Sequence, residues 1–236
     1  MRLYHSFGFI AIYLGFDTLM YMTTRASVIL SLILIFIGFA ISIYLYPSLP
    51  EMLASHWGIR GEVNGYMAKP LALFLMPVIA IGILLLFLFI PKIDPLGKNI
   101  ESFRKKYNLF FLLLIAFLLY IHILTLVWNS GFTFDVGRAI VPAIGVLIFY
   151  IGVLIRHAKR NWFVGIRTPW TLSSDTVWEK THMLGGSLFK IAGGIAFLGF
   201  LFTGYEFWFV IIPIVGVALF LLVYSYFIFQ AERKGN

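Results

Sequence analysis

Six blocks of unbroken apolar sequence, each long enough to cross a lipid bilayer, decide what this chain can fold into. The first reads ASVILSLILIFIGFAISIYLY, residues 26–46, and the others run over roughly 70–90, 107–128, 138–155, 184–204 and 207–229. A bilayer core of about 30 Å takes about 20 apolar residues per helix, so each block is a full span. Within a block every face is apolar and Gly is mixed with β-branched residues. That pattern fits helices, which satisfy their own backbone groups in lipid, and not the alternation of barrel strands. Composition leaves little for a soluble domain: 61% of the 236 residues are hydrophobic and 12% charged, with a mean hydropathy of +0.96. The expected fold is an all-α polytopic integral membrane protein of six transmembrane helices, placed in the cell membrane.

Residues 1–25 stand apart. The run FGFIAIYLGFDTLMYM is 16 residues long and carries Asp17 in its middle, too short and too charged for a seventh span. It lacks the small-residue cleavage site of a signal peptide. MTTRASVILS, from Met22, has the look of a membrane-protein start, so the segment before it is either an interfacial extension or an upstream reading of the start. The chain has no cysteine, which removes disulfides, thiolate metal sites and thiol nucleophiles.

The net charge of +8 reports topology. Lys92, Lys98, Arg104, Lys105 and Lys106 lie between spans two and three, and Arg156, Lys159, Arg160, Arg167 and Lys180 between four and five. The alternate loops hold only Arg60, Lys69 and Arg138. The excess of Lys and Arg puts the first set in the cytoplasm, and an even number of spans then puts both termini there, with Arg2, Arg25, Arg233 and Lys234. Direct nucleic-acid binding is not expected.

Two ionisable residues fall inside spans. His122 lies well within the third, where an unpaired group is costly, and is either a histidine satisfied by a neighbouring helix or part of a proton relay or ligand contact. Lys190, one turn into the fifth, can snorkel to the inner interface. Gly185, Gly186, Gly193, Gly194 and Gly199 crowd the fifth span, which predicts close helix packing within one bundle or between protomers.

The first outer loop, YPSLPEMLASHWGIRGEVNGYMAKP, residues 46–70, is dense in turn residues, with Pro47, Pro50, Gly58, Gly61 and a hairpin-type Asn64-Gly65 pair. It predicts an ordered cap. His56, Trp57 and Tyr66 are expected to pack it onto the bundle or a partner, with Arg60 and Glu62 solvated at the tip. Glu51, His56 and Glu62 match no established metal-ligand spacing, and no metal site is expected.

The most polar run of the chain is NWFVGIRTPWTLSSDTVWEKTH, residues 161–182. Thr168 ahead of Pro169 is held extended. Asp175 or Thr176 starts a helix, with Glu179 completing a capping box. Trp178 and His182 share one helix face, and Gly185 and Gly186 relax the chain before span five. Arg167 can bind a carboxylate or phosphate, or sit at lipid headgroups.

The pattern Asn161-x-x-x-Gly165-Ile166-Arg167-Thr168-Pro169-Trp170, continuing to Trp178 and His182, resembles the motif of the SdpI family of membrane immunity proteins. The loop containing His56, Trp57, Gly61, Asn64, Gly65, Tyr66 and Lys69 resembles that of the DUF1648 membrane domain found ahead of it, with Gly58 and Asn64 departing from the commoner Asn and Asp. Spans and resemblance together divide the chain into an N-terminal extension, 1–25; a DUF1648-like helix–loop–helix over 26–90 with outer loop 47–69; a basic loop and third span, 91–137; an SdpI-like region, 138–229, with motif loop 156–186; and a tail, 230–236. The resemblance implies shielding of the host membrane from a peptide toxin met by the outer loop, and an inner loop that recruits a cytosolic transcriptional repressor. Neither catalysis nor a cofactor is implied. Two other readings stand beside it: a transporter with His122, Lys190 and Arg138 facing one cavity, and an interfacial enzyme handling phosphate through Asn161, Arg167 and His182. Paired intramembrane carboxylates and a phosphate-cradling GxxxxGK[ST] are both absent.

Overall fold

The computed structural model describes residues 22–59 and 61–235. The expectations for residues 1–21 and for Arg60 lie outside the described residues. Among the described residues, six helices are long and apolar enough to span a membrane. They are α1 (Thr24–Leu45), α2 (Lys69–Ile93), α4 (Arg104–Asn129), α5 (Val136–His157), α7 (Asp175–Leu198, continued by a 3-10 turn Gly199–Leu201) and α8 (Glu206–Gly235). Short helices α3 (Gly97–Ser102) and α6 (Pro169–Ser173) lie in connections, and β1 (Met52–Trp57) pairs antiparallel with β2 (Val63–Ala68). The molecule is therefore mostly helical, with one β-hairpin that the all-α expectation missed.

Successive spans reverse direction, so the connections fall at two opposite ends. One end carries the hairpin, the α4–α5 loop and the α7–α8 turn. The other carries α3, the segment from Ala158 to Ser174, the start of α1 and the end of α8. In plan, α1, α2 and α4 pack as one half and α5, α7 and α8 as the other, joined chiefly along α4 and α5.

The first half is held by apolar packing and by repair of two prolines. Pro77 and Pro91 sit inside α2 and lack the N–H that would bond the carbonyls of Leu73 and Phe87, four residues earlier. Each orphaned carbonyl is met by a hydroxyl from a neighbouring helix, as spans in lipid require. Ser42 Oγ donates to Leu73 O at 2.7 Å, and Tyr107 Oη to Phe87 O at 2.9 Å. Around the second repair the rings of Phe87, Tyr107 and Phe111 lie 4.8–5.4 Å apart.

The second half is held by glycine. Helices α5 and α7 form the most closely packed pair. A Cβ on Gly152 would lie 2.7 Å from Gly186 O, and one on Gly193 would lie 2.7 Å from Gly145 O. Seven residues separate the two glycines on each helix, so the contacts line up in antiparallel register and let the backbones touch. Gly185 packs on Ile166 and Leu221, and Gly199 on Phe209 and Val141, while Gly194 faces open space. The small-residue stripe is thus used almost wholly inside one chain.

The fifth span corrects the sequence reading at its start. The helix begins at Asp175, with Ser174 as the N-cap accepting from Val177 N, so neither Asp175 nor Thr176 caps it. Gly185 and Gly186 are buried helical residues facing α5 and α8, and the chain does not relax there.

Candidate functional site

The motif loop is locked by its own polar groups. Asn161 is fully buried; its amide donates to Lys159 O and Val164 O, both at 2.8 Å, and its Oδ1 accepts from the N–H groups of Phe163 at 2.9 Å and Val164 at 2.6 Å. Those four bonds use its amide hydrogens and its acceptor lone pairs. The turn they close brings Gly165 to φ +132°, a conformation that L side chains rarely adopt. A Cβ there would also strike His182 Nε2 and approach the Trp178 ring to 3.0 Å.

Beyond Gly165 the chain binds α7. The N–H of Ile166 donates to His182 Nε2 at 2.9 Å, which leaves Nδ1–H to donate to Trp178 O at 2.8 Å. The ring is thereby fixed as the neutral Nδ1 tautomer. The Trp178 indole stacks on it at 3.9 Å and donates Nε1–H to Ala158 O at 2.8 Å. Thr168 is extended and caps α6, exchanging bonds with Thr171 in a capping box and meeting Ser225 of α8 at 3.1 Å. Trp170 lies edge-on against Tyr226. Arg167 donates to Trp162 O at 2.5 Å and is otherwise exposed, as are Trp162 and Phe163.

Three anchors of this loop escaped the sequence reading. Asp94 is buried and accepts from Leu96 N at 2.7 Å and Trp162 N at 2.9 Å, tying the α2–α4 connection to the motif. Asn99 donates to Arg160 O at 2.6 Å, and Arg160 pairs with Asp175 at 2.8 Å. The Asp-Pro-Leu-Gly run that begins at Asp94 is turn chemistry and was the available signal. Nothing in the sequence says which distant N–H its carboxylate meets.

At the opposite end the hairpin is docked by few contacts. Lys69 is buried, paired with Glu51 at 2.8 Å and lying 5.2 Å over the Tyr46 ring. Asn129 clamps Ala54 by accepting from its N–H at 2.8 Å and donating to its carbonyl at 2.9 Å. Leu53 is fully buried beneath it, and Trp57 meets Trp128 edge-on at 5.7 Å. Asn64-Gly65 is not the turn. The turn is Gly58–Glu62, closed by Gly58 N–H to Glu62 O at 2.8 Å with Gly61 at φ +79°. Gly65 lies within β2 opposite a bulge at His56, and a Cβ there would be 2.9 Å from that of His56. His56 and Asn64 are exposed and hydrogen-bonded to each other, and Tyr66 is 61% exposed, so of the three packing residues expected only Trp57 packs inward.

The intramembrane groups do not converge. Fully buried His122 contacts Ser42 Oγ through Nε2 at 2.8 Å, completing a relay to Leu73 O, while its Nδ1 has no partner. The small gap beside it is lined by neither Lys190 nor Arg138. Half-buried Lys190 packs against Gly152, and Arg138 donates to Phe200 O at 2.9 Å. Asn161 and His182 are likewise committed within the loop, which leaves Arg167 alone among the three residues considered for phosphate. Among the described residues no cluster of His, Asp and Glu could hold a metal.

Fold and site define a helical membrane protein with six candidate spans among the described residues, capped by a hairpin at one end and by a self-bonded loop at the other. Residues 157–225 match the SdpI/YfhL protein family, and residues 33–81 match a domain of unknown function, DUF1648. The chain is similar to the immunity protein SdpI of Bacillus subtilis (strain 168), 28% identical over 211 residues that cover 88% of this chain and 97% of that one. No solved structure matches it. The chain is thus a multi-pass protein of the plasma membrane that is similar to SdpI over most of its length, with the DUF1648 match lying ahead of the SdpI/YfhL match.

Proposed function

We propose that this chain protects the membrane that houses it against a membrane-active peptide toxin, by binding and packing changes and without catalysing a reaction. The observation that carries the reading is the similarity, along nearly the whole length of both chains, to a protein named for immunity. The internal commitment of Asn161 and His182 supports it against phosphate chemistry. In this reading the hairpin end is outside and meets the toxin. The motif loop and both termini are cytoplasmic, in keeping with the Lys and Arg excess at that end. There the exposed Trp162, Phe163 and Arg167 form the surface that holds a cytosolic repressor once toxin is sensed.

The test is protection. Expressed in a sensitive host, the chain should raise survival against at least one secreted membrane-active peptide, and unchanged killing by every peptide tried defeats the reading. Sidedness has its own check, because the chain has no native cysteine. A thiol placed at Tyr66 should react with a membrane-impermeant maleimide added outside intact cells, and one placed at Trp162 should not.

A further inference from the structure

We infer that the cleft between the hairpin and helices α5 and α8 binds an apolar peptide segment that carries a cationic side chain. The cleft measures about 760 Å³, well within the size of ordinary ligand sites. Its walls are apolar, with Ile140 and Ile144 from α5 and Val210 from α8, and the Trp57 indole forms part of its rim. All its charged lining residues are carboxylates: Glu62, Asp135 and Glu206, with no Lys or Arg among the described lining residues. In a protein of net charge +8, that is a local reversal of sign.

Glu206 is the decisive group. It is 5% exposed, its Oε1 is buried without a hydrogen-bond partner, and no Lys or Arg among the described residues pairs with it. It starts α8, where the helix N-terminus favours a carboxylate, but that leaves the oxygen itself unmatched. A buried acceptor in apolar surroundings calls for a donor, and an ammonium or guanidinium supplies both the donor and the opposite charge. The buried Nε1–H of Trp57 is a second unpartnered group on the same cleft, suited to a peptide carbonyl. Apolar walls, a carboxylate without a partner and a spare N–H together match a short stretch of peptide with one Lys or Arg between apolar side chains. This site rests on the immunity reading only for its biological occupant; the chemistry of recognition stands on the cleft alone.

The probe is the N-acetylated tripeptide amide acetyl-phenylalanyl-lysyl-phenylalaninamide, whose lysine is its one cation, titrated onto the full chain in nanodiscs of phosphatidylcholine. The control has norleucine in place of lysine. The lysine peptide should bind about tenfold tighter than the control or better, and Glu206→Gln should erase the difference. Ile140→Trp, which fills the apolar wall and leaves the carboxylates alone, should weaken both peptides and decides the matter if Glu206→Gln fails to fold. Equal binding of the two peptides, or wild-type binding by both variants, overturns the inference. So does loss of peptide binding when phosphatidylethanolamine is added to the discs, which assigns the cleft to a lipid headgroup. Protection assays separate this from the functional reading: protection that survives Glu206→Gln sinks the cleft as the toxin site and leaves immunity standing. Binding without protection by any variant sinks immunity and leaves the cleft.

Discussion

The two ends of the bundle solve the same problem, an irregular segment at a membrane surface, in opposite ways. The motif loop turns its polar side chains inward and uses them up: Asn161, Thr168, Thr171 and His182 are all buried, and each bonds backbone within the loop or beside it. The hairpin satisfies most of its backbone by strand pairing, so that, apart from buried Leu53 and Ala54, most of its side chains are left to face outward or into the cleft. Backbone pairing frees side chains for recognition, whereas a loop without it must consume them. The motif loop therefore spends its buried polar groups on its own shape, whereas the hairpin leaves His56, Asn64 and Tyr66 exposed.

Substitutions can break that contrast, and the largest effect is expected at Gly165. Gly165→Val adds a clash with His182 and Trp178 to a backbone conformation that β-branched residues avoid, and should remove about 3 kcal/mol of stability, read as loss of the folded band and a fall in Tm in micelles. Next comes Asn161→Ala, which strips four hydrogen bonds and leaves buried backbone groups unmatched, for about 2 kcal/mol in the same assay. Ser42→Ala orphans the Leu73 carbonyl and the His122 ring together. Intramembrane hydrogen bonds are individually modest, so about 1 kcal/mol is expected. Tyr66→Ala, on the exposed face of the hairpin, should shift stability by less than about 0.5 kcal/mol while remaining free to change protection. A Tyr66 variant as damaging as the Gly165 one would erase the distinction between the two ends.

Much of the frame was legible in the chain. The spans were found to within a few residues, except that α8 runs on past residue 229 to Gly235 and that the helix expected to start at Asp175 or Thr176 continues into the fifth span with no break at Gly185 and Gly186, because glycines packed against a neighbouring helix stay helical. Thr168 before Pro169 was read correctly from local sterics. Asn64-Gly65 misled because a bulge partner and a turn favour the same residue types, and only the register against β1 separates them. Proline repair was invisible, since Pro77 and Ser42 are unrelated in the sequence until α1 and α2 pack.

By itself the sequence determined the six helices, among the described residues, that are long and apolar enough to cross a membrane, because lipid offers no partner to a backbone and only continuous apolar helices supply their own. Tertiary structure alone decided where each polar side chain went. The partners that matter are remote, with Asp94 reaching Trp162 and Ser42 reaching His122, and a hydrogen bond of under 3 Å between such residues exists only once the helices are in place.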